Sequence, residues 1–298
     1  RGIIMPDNTE NIFQQNLNEK APQPGTVFFI HLLFEEKCEM PQQTEINKIM
    51  ERHLGKTECF SYDKASASFI PKNYIAHFKD ADVNPQLIIT ECTEIKKPLL
   101  NDFEIAQLND CPNASEILKE CKYQVLGMDM LAAGLDYKER ANMSVGFIEA
   151  LAEIFPDCKA FVFDNSHKML SRESIVACNL PVEQRFIYYA VNVRFFNIEG
   201  TDDMIVDSVG MSTLWLPDVQ YHFNTLNPNS VVYHAYSVLC YIYDNECPIK
   251  SGDCVDGLEN DEMSKNVQWN VQYEESLIQP VREVLDVNAG KYASGNRE

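Results

Sequence analysis

At 298 residues, 45% of them hydrophobic, the chain can bury a full core as one large domain or two ordinary ones without help from a metal or disulfide. Its 45 acidic residues against 25 basic leave a formal net charge of −20. That balance argues against nucleic acid and anionic membrane surfaces, which need a basic footprint, and it suits a basic protein partner.

Ten cysteines are scattered without a C-x-x-C pair, which removes a zinc knuckle and a thioredoxin-like motif. Several lie in apolar runs such as "SVLCYIY" and read as small buried hydrophobes. The opening residues hold no apolar stretch of signal-peptide length, and no run reaches the length of a membrane span. A reducing cytoplasm is the expected setting.

Residues 1–24 are polar, rich in Asn and Gln, and are expected to form a flexible arm. "TVFFIHLLFEE" is an apolar run of strand length. In "PQQTEINKIMERHLG", Ile46, Ile49, Met50 and Leu54 fall at helical spacing, and Gly55 stops the helix. "CFSYDKASASFI", "YIAHFKD" and "PQLIITEC" read as strands. "ASEILKECK" is a short helix that Asn113 or Ser115 can cap. "YQVLGMDMLA" leans to strand, because Gly127 breaks the helical stripe. Residues 26–131 then run β-α-β-β-α-β, the order of a ferredoxin-like unit.

"KERANMSVGFIEALAEIF" is the clearest amphipathic helix, with Met143, Phe147, Leu151 and Ile154 on one face. "KAFVFDN" is a buried strand, and "SRESIVACN" a helix capped by Ser171. "RFIYYAVNVRFFNI" and "DMIVDSVGMSTLWL" read as the two long strands of a hairpin. "NPNSVVYHAYSVLCYIYDNE" is a helix with Asn227 as cap and Pro228 in its first position; it is apolar almost all round and expected to be buried. "NVQWNVQYEE" and "REVLDVN" close the chain as strands, followed by a disordered tail over 289–298. The fold class is α+β: mixed or antiparallel sheets with helices on one face. Two βαββαβ halves, 25–135 and 136–288, are one organisation these elements suggest, and a single mixed sheet is the other.

The segment "DSVGMSTLWLPDVQYHF", the apolar helix after it, the "IKSGDCVDG" turn and the closing "REVLDVN" resemble the bacterial DUF4261 family of uncharacterised proteins. The resemblance is strongest over residues 200–288; upstream, "YQVLGMDM", "KAFVFDN" and "LSRESIVAC" are similar to the family's middle section. It implies an α/β domain and carries over no catalytic residue.

In "LPDVQYHF", Asp218, Gln220 and His222 alternate with Val219, Tyr221 and Phe223. As a strand this places a carboxylate, an amide and an imidazole on one face. Asp218 and His222 could share a proton or a metal, but two ligands do not close a metal site. The plainer reading is the polar, solvated face of a sheet strand. In "SGDCVDGLENDEM", Asp253 and Asp256 head an acidic run whose spacing departs from the EF-hand pattern, so no metal is assigned and a solvated acidic turn is expected. His234 and His31 sit in apolar segments and read as hydrogen-bonded core residues. No G-x-S-x-G, H-E-x-x-H, G-x-G-x-x-G or Walker pattern occurs, so no cofactor is expected.

The function these readings favour is a non-enzymatic acidic binding module, immunity-like in neutralising a basic protein. The alternatives are a metal-assisted hydrolase built on Asp218 and His222 with the 253–262 loop, and self-assembly through an exposed strand edge.

Overall fold

The computed structural model describes the backbone of residues 3–4 and the whole of residues 12–295. It is of the α+β class and divides into two compact units. The larger comprises residues 24–190 with 213–215; the smaller comprises 1–23, 191–212 and 216–298. The division near 190 falls well after the boundary expected at 135, because the long helix and the strands following it join the N-terminal sheet.

The larger unit is built on one antiparallel sheet. Its elements in chain order are β1 (Phe29–Phe34), α1 (Gln43–Leu54), β2 (Thr57–Tyr62), β3 (Ser66–Pro71), β4 (Gln86–Thr90), α2 (Ala114–Glu120), β5 (Tyr123–Met130), α3 (Tyr137–Ile154), β6 (Ala160–Phe163), β7 (Lys168–Ser171), α4 (Arg172–Val176) and α5 (Val182–Ala190). The strand order is β7-β6-β1-β5-β4-β3-β2. A ferredoxin-like order would set β1 between the last two strands of its own half; here β2 to β5 form a meander and β1 closes onto β5 and β6. Alternation in β1 sends Ile30, Leu32 and Phe34 to one side, where they are buried with Phe161 and Phe163 of β6. Gly127 of β5 faces the Leu151 and Phe147 side chains of α3 on that side. Leu33, Ala160, Val162 and Met169 point the other way and pack with Leu100, Leu108, Ala114 and Ile117. Helices therefore cover both faces of this sheet, not one.

A buried ion pair fastens the helical layer of this unit. Arg140 of α3 and Asp129 of β5 are 1% and 2% exposed, and Arg140 grips both carboxylate oxygens at 3.0–3.2 Å. The guanidinium also donates to the carbonyls of Thr26 and Thr213, and Asp129 accepts from the Phe28 amide. Every polar atom of the pair has a partner, which is the condition for burying charge.

The smaller unit contains β8 (Asn192–Ile198), β9 (Met204–Val209), β10 (Asp218–Phe223), α6 (Pro228–Asp244), β11 (Cys254–Glu259), β12 (Glu262–Glu275) and β13 (Glu283–Val287). Its sheet runs β11-β12-β13-β10-β9-β8, extended by the short strands Ile3–Ile4 and Ile12–Phe13. All neighbours are antiparallel except β10 and β13. The segment "RFIYYAVNVRFFNI", expected as one strand, is α5 followed by β8. Phe186, Ile187, Tyr189 and Ala190 are its buried positions, a helical spacing. Two expected caps form: Ser171 accepts from the Ser174 amide and Asn227 from the Asn229 amide, with Pro228 in the first turn, whereas Asn113 stands at the N-cap of α2 without a side-chain capping bond.

Neither terminus follows its expectation where it is described. Residues 12–23 pack on the smaller unit: Gln15 and Leu277 are hydrogen bonded, Gln279 reaches Glu19, and Lys20 bridges Val281. Residues 289–295 are also placed, with Ala293 bridging Phe223 and the Ser294 amide donating to the His222 carbonyl. Residues 1–2, 5–11 and 296–298 lie outside the described residues.

Candidate functional site

β10 lies at the centre of the smaller unit's sheet, and all six of its residues are buried. The register builds a polar row across five strands. Arg194 faces Asp207, Asp207 faces Gln220, Gln220 faces Asp286, and Asp286 faces Gln272. Directly opposed residues share a face, so these side chains meet. The face expected to be wet is dry, because distant parts of the chain cover it: Leu277 donates to Gln220 at 2.6 Å, Arg282 reaches over Asp207 and Asp218, and Gly295 sits against the His222 ring.

Each sequence-predicted residue has a structural partner. Asp218 is 2% exposed and accepts from Ser208 Oγ (2.8 Å) and the Met211 amide (3.3 Å), with Arg282 Nε at 3.4 Å. Burial pushes its carboxyl upward against the pull of Arg282 and those donors. Gln220 donates to Asp286 at 2.9 Å. His222 Nε2 lies 3.3 Å from Asp203. Four residue steps along the strand set Asp218 and His222 roughly 13 Å apart along the chain. The structure brings Asp218 to Arg282 and His222 to Asp203, and does not bring the two together. The pair therefore does not form the water-activating site weighed from sequence.

The residues that organise this row are Arg194, Asp207, Arg282 and Asp286. Arg194 binds Asp207 with two bonds of 2.8 and 2.6 Å, and Arg282 adds a third at 2.8 Å. The signal for them was present. A lone charge inside "VNVRFF" or "MIVDSV" belongs to a buried strand, where it needs a counter-charge.

The opposite face of β10 packs under α6. Tyr221 is fully buried and its hydroxyl lies 2.9 Å from His234 Nδ1. His234 Nε2 in turn donates to the Asp256 carbonyl at 2.6 Å, and the ring sits 4.8 Å from that of Trp269. Burial holds this imidazole below its ordinary pKa, so it is neutral. His234 is thus the core residue the sequence indicated, and it ties α6 to strand β11.

Asp256 lies in β11 and Asp253 immediately before it. Asp253 accepts from the Lys250 amide, and Asp256 from Gln268. Their segment forms a β-ribbon, β11 with β12, turning at Asn260–Asp261, both with positive φ, as a two-residue hairpin of the I′ kind requires. Residues 250–275 carry seven acidic residues against two lysines, and β11 is an edge strand. Beside it, α6 departs from expectation. It buries Val231, His234, Ala235, Val238, Leu239 and Ile242 but presents Tyr233, Ser237 and Tyr241 outward at helical spacing. Tyr233 is 75% exposed and Tyr241 49%, so the smaller unit places a tyrosine stripe on the helix tied to its acidic ribbon.

Among the described residues, no group of three or more His, Cys, Asp and Glu side chains is placed to hold a metal ion, and no helix is long and apolar enough to cross a membrane. No curated protein and no solved structure matches the chain. Residues 207–288 match the family described as Domain of unknown function (DUF4261), so the segment that carries the row from Asp207 onward, the stripe and the ribbon is the one the sequence resemblance marked.

Proposed function

We propose that the smaller unit is a non-enzymatic, acidic protein-binding module that docks a basic protein, in the manner of an immunity protein neutralising its target. The observation that carries this reading is the exposed Tyr233–Tyr241 stripe beside the acidic ribbon. Buried anchors at protein interfaces are enriched in tyrosine, and a Lys- or Arg-rich partner can use both the aromatic faces and the carboxylates. The polar row of β10 serves this reading as scaffold, since each of its predicted site residues is occupied by structural partners. The ten unpaired thiols support a reducing, cytoplasmic setting, and the family resemblance a bacterial one. The net charge of −20 favours protein over nucleic acid as the partner.

Capture from native lysate at ~0.1 M and ~1 M salt tests it, because charges on the surface are screened over about 10 Å and 3 Å respectively. One stoichiometric basic protein, held at low salt and released at high salt, is the expected result. No partner at either salt, with a mass in solution that is a multiple of the monomer, would move the reading to self-assembly through the β11 edge.

A further inference from the structure

The larger unit holds a second feature that neither the family match nor the binding surface accounts for. A cleft of about 370 Å³ opens among its helices, within the range of small-molecule sites. Its walls come from four elements: His53 near the end of α1, Glu149 and Glu153 one turn apart on α3, Arg172 at the start of α4, and Arg185 on α5. Ile175 and Val176 add an apolar side.

The charges in the cleft are ordered by mutual contacts. Arg185 Nη1 donates to Glu149 Oε1 at 2.9 Å, and the Tyr189 hydroxyl donates to the same oxygen at 3.0 Å. His53 Nε2 lies 2.9 Å from Glu153 Oε2, and Glu153 also binds Arg52. Two guanidiniums are fixed by Nε: Arg172 Nε donates to the Ala152 carbonyl at 2.8 Å, and Arg185 Nε to the Leu180 carbonyl at 2.9 Å. Among the described residues, the Arg172 Nη groups and Arg185 Nη2 have no protein acceptor. A guanidinium anchored through Nε presents its outer N–H groups as a rigid fork, the geometry that matches carboxylate and phosphate oxygens.

Arg172 and Arg185 balance Glu149 and Glu153 among the cleft walls, in a chain of net charge −20. Arg172 has one side-chain hydrogen bond, to the Ala152 carbonyl. We propose that this cleft binds a small oxyanion-bearing molecule, a carboxylate or phosphate ester, held between the Arg172 fork and Arg185 Nη2 with its apolar part against Ile175 and Val176. His53 adds a positive charge to the cleft when protonated. Hydrogen bonding to Glu149, with Glu153 beside it, raises its pKa against the opposing effect of burial. Arg52, Arg172 and Arg185 are the cations around it. Binding therefore strengthens as pH falls through the His53 titration.

Calorimetric titration of the full chain with inorganic phosphate and with butyrate, in separate arms, tests the proposal. His53 imidazole resonances are followed by NMR in parallel. One site is expected for at least one probe, with a shifted His53 signal, and the responding arm identifies the oxyanion. R172Q is expected to weaken it about tenfold or more, about the loss of one charge-assisted hydrogen bond. R172K keeps the charge without the fork and is expected to fall between. R185Q also frees Glu149, so its fold is checked by circular dichroism before its affinity is read. No binding of either probe at millimolar concentration overturns the proposal, as does binding that R172Q leaves unchanged.

Discussion

Asp207→Ala isolates the energetic role of the polar row. The Asp207 side chain is fully buried, and those of Arg194 and Arg282 are each 7% exposed. Arg194 makes both of its side-chain hydrogen bonds to Asp207. Arg282 keeps the carbonyls of Ser208, Ile278 and Pro280 and the nearby Asp218 carboxylate. Removing the carboxylate therefore strands one buried guanidinium outright and weakens the hold on a second. Breaking a buried pair from one side costs about 3–5 kcal/mol, most of it the uncompensated charge. Replacing both partners with apolar residues avoids that charge, so Asp207→Leu with Arg194→Met is expected to recover most of the loss. Urea unfolding followed by tryptophan fluorescence reads this unit specifically. The chain has two tryptophans: Trp269, 1% exposed in the smaller unit, and Trp215, 60% exposed in the larger. In a Trp215→Phe background the signal belongs to Trp269. A single substitution costing less than ~1 kcal/mol, or a double no better than the single, would refute the reasoning, because either outcome means the row is hydrated.

The two units are expected to respond oppositely to pH. His53 has a raised pKa, so its contribution to the larger unit is complete below the unfolded value of 6.5 and is lost as pH rises through the folded value. His234 has a lowered pKa, so its contribution to the smaller unit is present above 6.5 and is lost as pH falls through the folded value. Amide exchange resolved to α1 and α6 should show these opposite trends, with His53→Gln removing the first and His234→Gln the second; trends that persist in the variants would exclude these histidines as their source. Gly127→Ala would place a Cβ 2.8 Å from Leu151 Cδ1 and 3.4 Å from the Phe147 ring, and overpacking of that kind costs about 1–3 kcal/mol. An unchanged urea midpoint for Gly127→Ala would mean that β5 and α3 are looser than the structure has them.

What the sequence made legible was local. Caps at Ser171 and Asn227 and the helix stop at Gly55 depend on residues within a turn or two of each other, whereas α3, expected to be amphipathic, is buried nearly all round. The sheet order depends on pairings that local chemistry does not encode: β10 lies parallel to β13, some 60 residues on. The same distance hid the site. "LPDVQYHF" does alternate as a strand, with the predicted polar residues on one side, but its cover comes from Leu277, Arg282 and residues 293–295. No pattern inside the octapeptide announces that cover. α5 was misread because aromatic and β-branched residues in "RFIYYAV" suit a strand by propensity, while packing against α3 decided for a helix. α6 was read as wholly buried because tyrosine counts as apolar in a periodicity argument. Its hydroxyl lets it stand in water, and Tyr233 and Tyr241 do so.

On the proposed reading, the exposed tyrosines of α6, and not the buried residues of β10, contact the basic partner. The direct measurement is the affinity of the captured basic partner for wild type and for Tyr233→Ser/Tyr241→Ser. Both side chains are largely exposed, so the substitutions should leave the unfolding midpoint within ~0.5 kcal/mol of wild type. The account predicts that affinity falls by at least about 2 kcal/mol, roughly thirtyfold, as for interface anchors. Unchanged affinity in a variant of unchanged stability would contradict it.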